Sequence, residues 1–172
     1  MFVVESVGKK GGLVLLWKDP LMVTIQSFSM GHIDSLIEDG SIVRFTGFYD
    51  NPEVSKRGES WLLLCRLATI QEIKDVPWLV GGDFNEICNH NEKCGGRRRP
   101  ENKMEEFRNV IEECEMRELY GTCEHFTWVN IRTEQIADIG DLIVREPTRF
   151  ERGITWRWDG ITSMIKLING YE

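Results

Sequence analysis

The sequence predicts an α/β fold: a block of short strands, then strands and helices in alternation. Three observations predict it. Four runs of β-forming residues lie between residues 13 and 49, divided by Asp-Pro and glycine-containing breaks. Two later segments repeat apolar residues at helical spacing. Between those segments, the apolar run Trp78-Leu79-Val80 stops at a Gly-Gly pair.

Gly11-Gly12 opens the first run, Leu13 to Trp17, which is apolar throughout and suits a strand covered on both faces. Lys18-Asp19-Pro20 marks a turn. Residues 22–29 alternate, with Met22, Thr24, Gln26 and Phe28 against Val23, Ile25 and Ser27. Residues 33–38 form a short strand. Residues 42–49 are rich in β-formers and are bounded by Gly40 and Asp50-Asn51-Pro52. At this spacing the four runs predict one antiparallel meander. Ser55 is placed to cap a helix whose apolar stripe is Trp61, Leu64, Leu67, Ala68 and Ile73, and Pro77 ends it. Residues 78–82 then read as a buried strand, and residues 89–100 as a loop rich in Asn, Gly and Arg. Pro100 suits the first turn of a second helix. Met104, Phe107, Val110 or Ile111, and Cys114 face its core side, and glutamates fill the other. Gly121 closes that segment, and residues 125–129 form a short aromatic strand. After Asn130 no period is clean. Residues 1–130 are therefore read as one partial domain and residues 131–172 as a divergent segment.

With 172 residues the chain suits one domain and buries roughly two-thirds of its unfolded surface. A hydrophobic share of 41% with 6 Trp excludes a disordered chain. The net charge of −7 argues against an overall electrostatic grip on nucleic acid. A local patch is left open at Arg97-Arg98-Arg99 with Lys93, which also reads as a solvated loop. The 5 cysteines are odd in number and lack any C-x-x-C pair, so neither a disulfide framework nor a zinc site is indicated, and an intracellular location is expected. No signal peptide or membrane-spanning run is seen, and nothing points to a protein partner.

The sharpest local feature is Val80-Gly81-Gly82-Asp83-Phe84-Asn85-Glu86. If the chain stays extended, Asp83 and Asn85 face one side together and Phe84 points back into the core. The glycines allow a phosphate or another backbone to come close. A carboxylate beside an amide suits attack on a phosphodiester: Asp83 orients or deprotonates water, and Asn85 donates to a phosphoryl oxygen. The competing reading is a turn in which both residues cap backbone groups. His32, His90 and His125 sit in no metal-ligand spacing and are read as structural.

The Gly-Asp-Phe-Asn stretch resembles the motif of the endonuclease/exonuclease/phosphatase superfamily. Its surroundings are similar to the plant non-LTR retrotransposon branch. The similar pieces are Gly11 through Lys18, His32-Ile33-Asp34, Arg44 through Tyr49, Ser60-Trp61, Pro77-Trp78-Leu79, Glu92-Lys93 with Gly95-Gly96, Met104 through Arg108, and Phe126-Thr127-Trp128. They run in the family's order from about residue 2 to 130. The resemblance implies a four-layer α/β sandwich that hydrolyses phosphodiesters with a divalent metal, usually Mg²⁺. It implies catalytic roles for Asp83, Asn85 and Tyr49, whose hydroxyl would face the phosphate, and substrate contact or strand packing at Thr127 and Trp128. It implies DNA as partner and, for an active retroelement endonuclease, a nuclear location.

The chain also departs from that pattern. An asparagine strand and a strand carrying the metal-holding glutamate normally precede the Gly-Gly-Leu stretch. A Ser-Asp-His triplet normally closes the domain, and no Asp-His pair occurs here. The expectation is an incomplete sandwich with unassigned metal ligands, apolar faces exposed on the Leu13–Trp17 and Val80 strands, and impaired DNA nicking. Robust nicking, against this expectation, would mean that Glu86 or Asp141 completes an active site. The alternatives are a non-catalytic retroelement remnant or binding module, and a small-molecule phosphatase.

Overall fold

The computed structural model describes residues 1–6, 12–94, 98–118, 128–130, 135–137, 142–145 and 165–169. Two β-sheets face each other, and helices cover the outer side of the larger one. Strands β1 (Phe2–Val4), β2 (Leu13–Trp17) and β12 (Ile165–Asn169) form one sheet in the order β1-β2-β12. The larger sheet runs β3-β4-β5-β6-β11-β8, from β3 (Met22–Ser29) through β4 (His32–Glu38), β5 (Ile42–Tyr49), β6 (Trp78–Asp83) and β11 (Leu142–Arg145) to β8 (Arg117–Glu118). A third, small sheet joins β7 (Lys93–Cys94), β10 (Gln135–Ala137) and β9 (Trp128–Asn130).

The expected meander exists in β3-β4-β5, which pair antiparallel in sequence order. Leu13–Trp17 is a correction, because it belongs to the smaller sheet and pairs with β1 and β12. Only Leu13 and Leu15 of that strand are fully buried, so it is covered on one face. An unbroken apolar run cannot say which sheet it joins, since a strand buried on one face and one buried on both satisfy the same residues.

The core has two parts. Strand β5 sends Val43 and Phe45 toward the smaller sheet, where they meet Leu13, Leu15, Ile33, Ile37, Leu79 and Val144. Its other face carries Arg44, Thr46 and Phe48. Phe48 joins Trp78, Val80 and Phe84 beneath α1 (Arg57–Ala68) and α2 (Glu101–Glu113), which contribute Trp61, Leu64, Leu67, Phe107 and Ile111. Val80 is fully buried, against the expected exposed face, because helices cover one side of β6 and the smaller sheet the other. Among the described residues the exposed large apolar side chains are instead Met1, Val3, Met22, Phe28, Met30, Ile42, Val54 and Leu62, three of them on β1 and the edge strand β3.

Helix α1 starts at Arg57 after a 3₁₀ turn, Val54–Lys56. Ser55 does not cap it, since its hydroxyl donates to Glu53 Oε1 at 3.1 Å. Ile73 lies in a separate 3₁₀ turn beyond the helix. Pro100 stands at the N-cap of α2, as its fixed φ favours, and Met104, Phe107 and Ile111 face the core.

Candidate active site

The step from β5 to β6 is parallel, so both strands deliver their C-terminal ends to one edge of the sheet. Tyr49 is the register partner of Asp83, placing two last-residue side chains side by side on the face toward the smaller sheet. Adjacent strands are about 4.8 Å apart, within the reach of one phosphate and its hydrogen bonds. Before Asp83, Gly82 adopts φ 147°, a conformation that penalises any Cβ. Strand β6 nevertheless keeps its register with β5 through Asp83.

The turn after Asp83 differs from the extended geometry expected for it. The strand ends at Asp83, and Asn85 sits at φ 52° in the left-handed region that Asn tolerates better than most residues. Asp83 Oδ1 accepts the Asn85 backbone N–H at 2.9 Å, an Asx turn. Asp83 and Asn85 are thus brought together by a side-chain-to-backbone turn and not by alternation along a strand. Phe84 does point into the core, stacked on Phe48 at 5.3 Å and tilted against Phe107 at 5.7 Å. Asn85 Nδ2 donates to the Asp50 carbonyl at 3.1 Å. The Asn85 side chain also hydrogen-bonds the Asp83 carboxylate, so its amide links the loops after β5 and β6 at the site.

Electrostatics suit a site that donates to an anion. Burial, and secondarily the charge of Asp83, raise the Tyr49 phenol above its ordinary value, keeping it protonated as a neutral donor. Burial also raises Asp83, while hydrogen bonds from Asn85 and the charge of Arg57 pull it down.

Four residues around the turn carry a scaffold that sequence reasoning missed. Glu86 is 1% exposed and holds Arg57 Nη1 at 2.6 Å and Arg99 Nε at 3.3 Å. Arg57 also donates from Nε to the Asn51 carbonyl at 3.2 Å, and Arg99 Nη2 donates to the Asn85 carbonyl at 3.0 Å. The loops after β5 and β6 are thereby tied to one buried carboxylate. Glu86 is thus held between two arginines, and one expectation is corrected: Arg99 is a brace and not a solvated loop residue. Arg98 meets His90 Nε2 at 3.1 Å. Arg97, His125, Thr127 and Asp141 lie outside the described residues. Trp128 begins β9 and pairs with Ala137.

Asp50 is the fourth. It is fully buried; its Oδ1 accepts the Asn51 N–H at 2.6 Å and its Oδ2 the Trp61 Nε1–H at 3.0 Å. Burial pushes its carboxyl up to about 7, outweighing the donors from Ser60, Asn51 and Trp61 and the charge of Arg57. The unfolded chain releases this proton near 3.8, whereas the folded chain keeps it to about 7. Stability therefore falls as pH rises through that window. We expect a loss on the order of 2 kcal/mol, the full linkage being reduced by local relaxation. Urea melts from pH 4 to 8 check it, and Asp50→Asn should flatten the slope.

His32 lies one strand away, paired with Phe48, and both its ring nitrogens are held, by Ser27 Oγ at 3.1 Å and Ser29 Oγ at 2.7 Å. Burial lowers its pKa, so it is a neutral structural residue. Among the described residues, one group offers clustered ligand atoms: Cys88, Glu92 and Glu118, within 4.8 Å of one another. Burial and Glu118 hold the Cys88 thiol protonated, and a thiol is a poor donor for a hard cation such as Mg²⁺. The hard-oxygen donor at the Tyr49–Asn85 site is Asp83, of the type Mg²⁺ takes together with substrate oxygens.

Residues 2–163 match the endonuclease/exonuclease/phosphatase family. The chain belongs to that family. No curated protein matches it. Among solved structures it is similar to the endonuclease domain of TRAS1, a telomere-specific non-LTR retrotransposon, at 11% identity and a TM-score of 0.50, covering 78% of this chain and 67% of that one. It also matches the Haemophilus ducreyi cytolethal distending toxin, at 16% identity and a TM-score of 0.38, over 74% of this chain and 44% of the other. A β-hairpin deletion mutant of Staphylococcus aureus beta toxin matches at 16% identity and a TM-score of 0.42, over 72% and 46%. The chain thus spans two-thirds of the TRAS1 domain and under half of either toxin chain. The TRAS1 likeness establishes the α/β sandwich of this family. The described residues place both α-helices on the larger sheet. The family generally uses a divalent metal, and strands β11 and β12 extend both sheets with residues from the divergent segment.

Proposed function

We propose that this domain engages DNA phosphodiesters at the Tyr49–Asp83–Asn85 edge, as a retrotransposon-type endonuclease domain of the plant branch whose strand-nicking activity is weak. The observation that carries the reading is the parallel register of Tyr49 with Asp83, joined to the Asx turn that sets Asn85 beside them. In this reading the Tyr49 hydroxyl donates to a phosphoryl oxygen as charge builds there, and the Asn85 amide exchanges its bond to Asp83 for a second one. Asp83 orients the attacking water, or accepts its proton. Asp83 would also be the protein ligand to Mg²⁺, which when bound relieves charge on the phosphoryl and leaving oxygens.

Weak activity follows from the donor set. Among the described residues, Asp50 faces Trp61, Glu86 faces two arginines and His32 faces two serines, so Asp83 carries the acid–base work without a second carboxylate or a histidine to share it. Missing one transition-state stabiliser costs roughly a hundred- to a thousand-fold in rate. The second reading, a non-catalytic binding module, rests on the same donors. Plasmid nicking with Mg²⁺ separates the two when Asp83→Ala is run beside the parent chain. Nicking slightly above background that Asp83→Ala abolishes supports the enzyme. Identical traces support the binding module, and robust nicking unaffected by Asp83→Ala would refute the assigned site.

A further inference from the structure

We propose that Cys65 and Cys114 are an oxidisable pair, which a small peroxide converts into a disulfide stapling α1 to α2. Their sulfurs lie 3.8 Å apart, although the residues stand 49 positions apart in sequence. A disulfide holds its sulfurs at about 2.05 Å, so the pair has to close by roughly 1.8 Å. The fold leaves room for that movement. Cys65 lies in the last turn of α1, and Cys114 is the C-cap of α2. Helix ends fray and adjust more readily than helix interiors. Both residues also line a cavity of about 160 Å³. A water occupies about 30 Å³ of liquid, so a peroxide of two heavy atoms fits there.

Exposure divides the chemistry between the two. Cys65 is partly exposed and Cys114 is buried, so peroxide meets Cys65 first. The Cys65 sulfur, as thiolate, attacks one peroxide oxygen: an S–O bond forms, the O–O bond breaks, and hydroxide leaves and takes up the thiol proton as water. Cys65 is then a sulfenic acid. The Cys114 sulfur attacks the Cys65 sulfur: the S–S bond forms, the S–O bond breaks, and hydroxyl leaves with the Cys114 proton as a second water. Two thiols have lost two electrons, and one peroxide has become two waters. Burial holds both groups as thiols, against a partial offset at Cys65 from the Cys114 hydrogen bond, so the first step is slow. The second is intramolecular between neighbouring sulfurs, and it outruns further oxidation of Cys65. The staple would join the two helices behind the candidate site. Helix α1 carries Arg57, which Glu86 braces, and Trp61, which packs on Phe107 of α2 at 5.7 Å. Cys88 has no such partner sulfur among the described residues, lying beside Glu92 and Glu118 on a different cavity.

The test treats the reduced full chain with hydrogen peroxide, alkylates the remaining thiols after denaturation and digests with trypsin in the absence of reductant. Cleavage after arginine isolates Cys65 in residues 58–66 and Cys114 in residues 109–117, one cysteine in each peptide. The expected result is a single species in which these two peptides are joined, and which reductant splits. Cys88 should be recovered alkylated. Closing a loop of this length should raise the melting temperature of the oxidised chain by about 5–10 °C over the reduced one. Cys65→Ser should show neither the joined peptide nor the rise. Cys114→Ala should stop at the Cys65 sulfenic acid, which dimedone traps. If that variant fails to fold, the joined peptide of the parent chain decides alone. Cys65 recovered alkylated, over-oxidised to the sulfinic acid or joined to another cysteine would overturn the pair. A joined peptide with no rise in melting temperature would overturn the staple. Neither readout depends on DNA nicking.

Discussion

Replacing Asp34 with alanine is expected to destabilise the domain by about 3–5 kcal/mol, the cost of stranding a buried charge. Asp34 and Arg44 are both fully buried on neighbouring strands of the larger sheet, and the carboxylate takes Arg44 Nε and Nη2 at 2.9 Å each. Thr46 donates to Asp34 Oδ1 at 2.5 Å, and Trp78 Nε1 donates to Thr46 Oγ1 at 2.8 Å. Removing the carboxylate leaves a guanidinium in the interior, and the charge of Arg44 already bears on Arg145. At roughly 2–4 °C per kcal/mol for a domain of this size, the melting temperature should fall by about 10 °C or more. A loss below about 1 kcal/mol in urea titration would show that Arg44 finds water or another acceptor. The paired change Asp34→Leu with Arg44→Met should recover most of the stability, because it removes both desolvation penalties together.

Glu86→Ala is expected to act on stability and on the site at once. Arg57 is 3% exposed and loses its carboxylate, so the stability cost again falls at about 3–5 kcal/mol. Arg57 and Arg99 also hold the carbonyls of Asn51 and Asn85, so the loops bearing Asp50 and Asn85 should loosen with it. Oligonucleotide affinity should drop even under conditions where the variant is fully folded. Glu86→Gln, which keeps the shape and one acceptor, should lie between the two on both counts. Affinity unchanged in folded Glu86→Ala would show that the brace serves stability alone.

The local reading worked where neighbours in sequence carry the information. The bounds of β2, β3 and β5, the two helices, and the burial of Phe84 all follow from period, turn chemistry and a Gly-Gly stop. The pairing of Tyr49 with Asp83 came from family resemblance, and the register of β5 on β6 now supplies its geometry. Of the two local readings of Asp83-Phe84-Asn85, the turn that caps backbone groups accounts for Asn85 better than strand alternation does.

The sequence by itself therefore determined the α/β class, the order of its elements and the position of the Asp83–Asn85 turn, because those depend on contacts a few residues apart. Only the tertiary structure decided which sheet Leu13–Trp17 joins, that Glu86 braces Arg57 29 residues away and that Arg145 donates to the Ala68 carbonyl at the end of α1. Each of these depends on which charge or strand edge meets which across the fold. An isolated Glu or Arg in sequence reads the same whether it ends in water, in an ion pair or against a carbonyl; burial and a partner's distance make the difference.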